Sequence, residues 1–327
     1  MEKKNTAVII LNYNNYEDTI NCIESVERFN TSPIKYIIID NGSTREGTIE
    51  AIDHYLKNKF KEQYCCGKED EFNGELSYAT FIISKTNDGY AKGNNKGLNI
   101  AYSDPTINSI LILNNDVLFV EDIIPYLRES YYNRLKDVAI LSPILYKKDL
   151  LGLDYNCARN NIKITNLIRD NILHYYYAIR KFSAMQIHPD RYLLLHGIPH
   201  EEYLGIELPS GSCMFIDKFL FKSIGSFDPN TFLYWEENIL FKKIEAIKKK
   251  NYLCTKCRCI HLGASATTKS PSKFIVNCSI NSMLYYGKVY SGCTNMQFFC
   301  LKLSSNIFKI LFNVQTIFKK ALCRSSK

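Results

Sequence analysis

Four short, β-branched runs, each stopped by a cluster of Asn, Asp or Gly, restrict this chain more than any other feature. TAVIILNY (Thr6 to Tyr13), IKYIIIDNGS (Ile34 to Ser43), ATFIIS (Ala79 to Ser84) and NSILILNND (ending at Asp116) read as buried strands closed by turn residues. Between the first two, YEDTINCIESVERF sets Ile20, Ile23 and Val26 at helical spacing, and GNNKGLNIAYS reads as a helix before the fourth. Strand, helix and strand in alternation imply parallel strands with right-handed crossovers, hence an open α/β sheet. Ligands of such sheets bind beyond the carboxyl ends of the strands. Those ends are Asn12-Tyr13-Asn14, Asp40-Asn41-Gly42, Asn87-Asp88-Gly89 and Asn114-Asn115-Asp116. Any one of them is an ordinary turn; four polar ends on one edge mark a binding site.

Composition adds limits. With 327 residues and 46% apolar content the chain can bury a sizeable core, which excludes global disorder. A net charge of +8 favours anionic partners without choosing among them, and no nucleic-acid-binding motif accompanies it. No apolar run is long enough to span a bilayer, and the first, VIIL, breaks at Asn12. The expected compartment is the cytoplasm, where twelve cysteines are reduced thiols. CTKCRCIH has the short Cys254–Cys257 spacing of a zinc site, but no second pair follows, and on a regular strand these two would point to opposite faces.

The polar residues suggest chemistry. A carboxylate at Asp40 can accept from the imide N–H of uracil or thymine, or simply cap a turn. Asn12 and Asn14 can hold the same base or a ribose. NDGYAKGNNKG, with Asn87, Gly89 and Asn94, offers glycines beside a helix start, where backbone can approach a phosphate. Asp116 suits a hard divalent cation, Mg²⁺ or Mn²⁺, shared with a diphosphate, and Asn114 and Asn115 can orient ribose or water around it. Glu236 and Glu237 begin a predicted helix and offer a general base. Trp235 before them can face a sugar ring or enter the core. His261 ends a late strand and is either a structural histidine or a ligand.

As an ordered set, VIILNYNN, IIIDNGS, NDGYAKGNNKGLN, LILNND, PSGSCMFIDKFLFKSIGSFDPNTFLYWEE and HLGAS resemble glycosyltransferase family 2, in particular its rhamnosyltransferase-like bacterial members. The resemblance covers about residues 7 to 265, with 150–205 poorly matched. It implies a GT-A fold: α/β, with a mixed, mainly parallel sheet flanked by helices and a C-terminal helical extension. It implies inverting transfer from a UDP- or dTDP-linked sugar to a hydroxyl of a saccharide or lipid-linked saccharide, in bacterial surface-polysaccharide synthesis. The expected nucleotide-sugar contacts are Asn12, Tyr13, Asn14, Asp40, Asn87, Gly89, Asn94, Asn114 and Asn115. Asn114-Asn115-Asp116 occupies the Asp-X-Asp position, with Asn114 in place of the first Asp. Glu237 matches the base, usually Asp, with Glu236 the alternative. Gly211 and Trp235 fall on the acceptor side, and His261 joins Asp116 as a cation ligand. Residues 1–125 form the nucleotide-sugar half, 126–265 the acceptor and catalytic half, and 266–327 the helical extension.

The tail from Met296 reads as a basic amphipathic helix. Lys302, Ser305, Asn306, Lys309, Asn313, Thr316 and Lys320 share one face; Cys300, Leu303, Ile307, Ile310, Leu311, Val314, Ile317 and Phe318 cover the rest. Peripheral contact with the inner face of the cell membrane through residues 295–322 is one expectation, docking on the catalytic domain or a dimer partner the other. A sugar-phosphate nucleotidyltransferase is disfavoured, because LNYNNYED lacks the Gly and basic residue such a loop needs. A non-catalytic nucleotide-sugar-binding partner is disfavoured because Asp116 and both glutamates are present.

Overall fold

The computed structural model describes residues 5–72, 76–148, 152–263 and 272–325, with 316–325 described as backbone. In chain order the elements are β1 (Asn5–Asn12), α1 (Tyr16–Phe29), β2 (Ile34–Asp40), α2 (Thr48–Phe60), β3 (Tyr64–Lys68), β4 (Ala79–Ile83), α3 (Gly89–Ser103), β5 (Ile107–Asn114), β6 (Val117–Phe119), α4 (Ile124–Glu129) and β7 (Val138–Tyr146). There follow β8 (Ala158–Arg159), α5 (Ile164–Ile179), α6 (Ala184–Ile187), β9 (Tyr203–Ile206), β10 (Leu208–Pro209), β11 (Cys213–Asp217), α7 (Lys218–Ser223), α8 (Glu236–Ala246), β12 (Lys250–His261), α9 (Lys273–Val289) and α10 (Asn295–Ser325).

One sheet runs β3-β4-β2-β1-β5-β11-β7-β12-β6, with β9 paired to β12. The first five strands are mutually parallel; β11 enters antiparallel between β5 and β7. The strands are apolar on both faces because helices cover both. Val8, Ile10 and Ile38 pack with Ile23 and Val26 of α1 and Ile52 of α2. Ala7, Ile9 and Ile37 pack with Leu98 of α3 and with Leu240 and Ile244 of α8. A third cluster joins Ile164 and Leu167 of α5, Ile239 of α8, Ile280 and Tyr286 of α9 and Leu301 of α10.

The order places β1 between β2 and β5, so the chain leaves β1 first to one side and later returns to the other. That is the switch point at which open α/β sheets form a crevice. The glycines of α3 serve this packing: a Cβ at Gly93 would lie 2.7 Å from Leu11 Cδ1, and one at Gly97 2.8 Å from Ile9 Cγ2.

Strand β12 departs from the regular pattern expected of it. Its register against β7 jumps from Cys254–Pro143 to Arg258–Ile144. Pro143 has no N–H to give the ladder, and the intervening residues bulge. The bulge turns Cys254 and Cys257 to the same side, buried with their sulfurs 3.5 Å apart, and not to opposite faces. Among the described residues no group of three or more His, Cys, Asp or Glu is placed to hold a metal ion.

Candidate active site

The carboxyl ends of β1, β2 and β5 meet in a hydrogen-bonded rim. Asn12 is buried, and its amide donates to Asp40 Oδ2 at 2.8 Å and to Ser43 Oγ at 3.2 Å. Its Oδ1 accepts from Thr19 at 2.9 Å. Asp40 is also buried, with Oδ1 accepting from the Ser43 N–H at 2.9 Å and Oδ2 from the Ser43 hydroxyl at 2.5 Å. These two residues together order the 40–43 turn. Asn14, at φ 58°, accepts from the Thr44 and Arg45 N–H groups at 2.6 and 2.7 Å. Tyr13 stands exposed at the lip. Asn115 ties the rim to β5, donating to Thr19 Oγ1 at 3.0 Å.

Two N–H groups at the start of α3 are already engaged. Gly89 N–H is taken by Asn87 Oδ1 at 2.9 Å and Tyr90 N–H by the Phe232 carbonyl at 2.8 Å. Asn94 is buried and donates to the Tyr90 carbonyl. Gly89 sits at φ +81°, and any Cβ there would overlap the Phe232 carbonyl. This loop is therefore a clamp on the 228–237 segment, which carries the glutamates.

Ser210-Gly211-Ser212 joins the two halves of the site. Ser212 Oγ lies 3.2 Å from His261 Nε2, and the Asn114 amide is 3.4 Å from the same hydroxyl. Gly211 donates its N–H to Glu237 Oε1 at 3.1 Å and accepts from the Tyr90 hydroxyl at 2.7 Å. His261 ends β12 with Nε2 3.5 Å from Asp116 Oδ2 and Nδ1 2.8 Å from Asp154 Oδ2. Asp154 Oδ1 accepts the Asn156 N–H at 3.0 Å, so both of its oxygens are engaged. Burial opposes charge on His261, but the Asp116 and Asp154 carboxylates outweigh it and push its pKa up to about 10. Ala264 and Ser265 of the HLGAS motif lie outside the described residues.

The paired glutamates occupy different surroundings. Tyr234 and Trp235 both adopt left-handed backbone (φ 71° and 73°), a strained approach that turns the chain into α8. Glu236 is buried with Oε1 unpartnered, and that burial, reinforced by the Glu237 charge, pushes its pKa up to about 8. Glu237 is half-buried beside the Gly211 N–H, with an Arg159 guanidinium nitrogen 3.9 Å from Oε1. The Trp235 ring packs against Tyr286 with centroids 5.2 Å apart. Gly211 likewise serves by close approach, since a Cβ there would lie 3.0 Å from Glu237 Oε1 and 3.1 Å from the Tyr90 oxygen.

Residues 7–186 match the family described as Glycosyl transferase family 2. The chain belongs to glycosyl transferase family 2. The chain is 23% identical over 233 residues to the low-salt glycan biosynthesis hexosyltransferase Agl10 of Haloferax volcanii, covering 71% of this chain and 58% of that protein. It thus spans under two thirds of the length of that relative. Its fold is GT-A. GalNAc-T7, solved with UDP, GalNAc and Mn²⁺, superposes with a TM-score of 0.55 at 14% identity, over 87% of this chain and 47% of the other. The mannosyltransferase PcManGT of Pyrobaculum calidifontis, solved with GDP-Man and Mn²⁺, gives 0.50 at 13% identity, over 92% and 69%.

Two residues of this family 2 chain that its sequence did not single out stand at the site. Asp154 and Arg159 fall in the poorly matched 150–205 stretch, and each reaches its partner across a long sequence separation. No local pattern could have signalled either.

Proposed function

We propose that this chain is an inverting glycosyltransferase that moves a sugar from a nucleoside-diphosphate donor, UDP- or dTDP-linked, to an acceptor hydroxyl. The observation that carries the reading is the Ser210-Gly211-Ser212 bridge, which sets the Asp116–His261 pair and Glu237 on either side of one short segment. Family membership and the glycan role named for the Haloferax relative support it.

Asp116 and His261 are the residues that would hold a divalent cation, which would displace the proton that the two carboxylates keep on the His261 ring. Their facing atoms lie 3.5 Å apart, close enough that both would reach one ion. An oxygen and an imidazole fit Mn²⁺ or Mg²⁺, and Mn²⁺ in both solved relatives agrees. Two protein ligands are few, so diphosphate oxygens and water complete the set. Such an ion supplies positive charge against the departing diphosphate.

The chain's own residues do the rest. Asp154 holds the His261 ring by its Nδ1. Asn12, Asp40 and Asn115 keep the rim in shape, and Tyr13 is placed to meet the nucleotide. Glu237 removes the proton of the attacking hydroxyl, on the face opposite the leaving group. Gly211 and Arg159 fix that carboxylate in position. Buried Glu236, neutral at neutral pH, adds no second charge. The acceptor in this reading is a saccharide or lipid-linked saccharide of a surface polysaccharide.

Glu237→Gln tests the assignment. Turnover should fall by about 10²–10⁴-fold while donor affinity persists. Near-normal turnover in that variant rejects Glu237 as the base.

A further inference from the structure

Charge is segregated along this chain. Residues 246–327 contain fourteen Lys and Arg and no Asp or Glu, so the last 82 residues carry +14 and the first 245 carry −6. Helix α10 lies in the cationic part, and it is turned opposite to an ordinary surface helix. Its inward side carries Leu301, Ser304 and Ser305, all buried, with Asn171 of α5 donating to both hydroxyls at 3.2 Å. Its outward side carries Met296, Phe299, Leu303, Ile307, Ile310 and Val314, at spacings of three or four residues and 40–70% exposed. A surface helix normally turns such a stripe to the core. Helix α5 runs beside it, His174 against Phe308 at 4.6 Å, and exposes Ile172, Tyr176 and Ile179.

We infer that the outward face of α10 docks in the interface of an anionic lipid bilayer, with the helix lying in the membrane plane. Among the described residues no helix is long and apolar enough to cross a membrane. Lys302 and Lys309, seven residues apart, follow one flank of the stripe, so their ammonium groups can reach headgroup phosphates while the stripe sinks between them. A second copy of the chain fits less well. A two-fold contact through α10 would set lysine against lysine, with no acidic residue on the helix to pair them. A nucleic acid would engage the lysines and leave the Ile, Leu and Val side chains in water.

The inward side of α10, opposite the docking face, connects to the glutamates through packed side chains. Leu301 shares a cluster with Tyr286, and Trp235 packs on Tyr286 immediately before Glu236. The inference rests on the surface alone, and a catalytically impaired variant tests it separately from the reaction.

Flotation of the full chain with phosphatidylcholine vesicles, with and without about a third phosphatidylglycerol, reads it directly. Binding is expected to the anionic vesicles, at least about tenfold weaker to the neutral ones, and reduced by salt. Phe299→Ser with Ile310→Ser should lower vesicle binding at least about tenfold without lowering Tm, since both side chains are exposed. Leu303→Gln with Val314→Gln should behave alike, and Glu237→Gln should bind as the wild type does. Equal binding to both vesicle types, or undiminished binding by both double variants, overturns the inference. So does a dimer in sedimentation velocity that Phe299→Ser with Ile310→Ser separates, or an oligonucleotide captured where vesicles are not.

Discussion

His261 is held between two carboxylates, and the more informative of them is the one that faces away from the cleft. Asp154 uses one oxygen on the Asn156 N–H and the other on His261 Nδ1. An amide in its place must surrender one of these bonds. Asp154→Asn is therefore expected to weaken Mn²⁺ binding in the presence of nucleoside diphosphate by about 10–100-fold. Isothermal titration reads this, and unchanged affinity would remove Asp154 from the site. Glu236 makes a stability prediction. Its pKa rises from an ordinary 4.5 to about 8 on folding, because burial disfavours its charge. Stability from the protonated group is complete below about pH 4.5 and is lost as pH climbs through 8. Between those limits the wild type should lose about 4 kcal/mol relative to Glu236→Gln. Denaturant titrations at pH 5 and pH 8 measure the difference, and parallel pH profiles would show that Glu236 is not held neutral.

At the scale of elements, the Ser210-Gly211-Ser212 segment decides whether the site assembles. Gly211→Ala would press a methyl against Glu237 and Tyr90. We expect kcat to fall about tenfold or more, with a loss of stability of about 1–3 kcal/mol. Activity and unfolding midpoints together test this; a variant with wild-type kcat would free Glu237 from its Gly211 contact. The core strands were readable because buried parallel strands are short apolar runs with nothing else to do. Helix α1 matched its expected Tyr16–Phe29 span, since a single apolar stripe faces the sheet. Strand β3, YCCGK at the sheet edge, carries no such run. Helix α5 was illegible because its apolar residues go right round it, Leu167 inward and Ile172, Tyr176 and Ile179 outward. The rim was legible as a location but not in detail. Asn12 and Asp40 reach it and then bond to one another, a pairing between strands that no local pattern announces.

The whole molecule reads as a nearly neutral α/β body, residues 1–265 carrying a net −1, that ends in a positive helical extension, residues 266–327 carrying +9. The tail was legible as amphipathic, but not which side faces the protein: Ser305, grouped with the lysines on one polar face, is buried, and the apolar stripe is outside. The side chains of Thr316, Ile317, Phe318 and Lys320 lie outside the described residues. A single chain of contacts spans the body's cleft, from Asp40 through Asn12, Thr19 and Asn115 to β5, and from Asp116 through His261, Ser212 and Gly211 to Glu237. The central claim is that this rim grips a nucleotide sugar through a cation. Thermal unfolding with a panel of nucleotide sugars, with and without Mn²⁺, tests it most directly. A shift of several degrees is expected that needs both Mn²⁺ and nucleoside diphosphate, persists in Glu237→Gln and disappears in Asp116→Asn. Equal stabilisation without the cation, or an undiminished shift in Asp116→Asn, would contradict it.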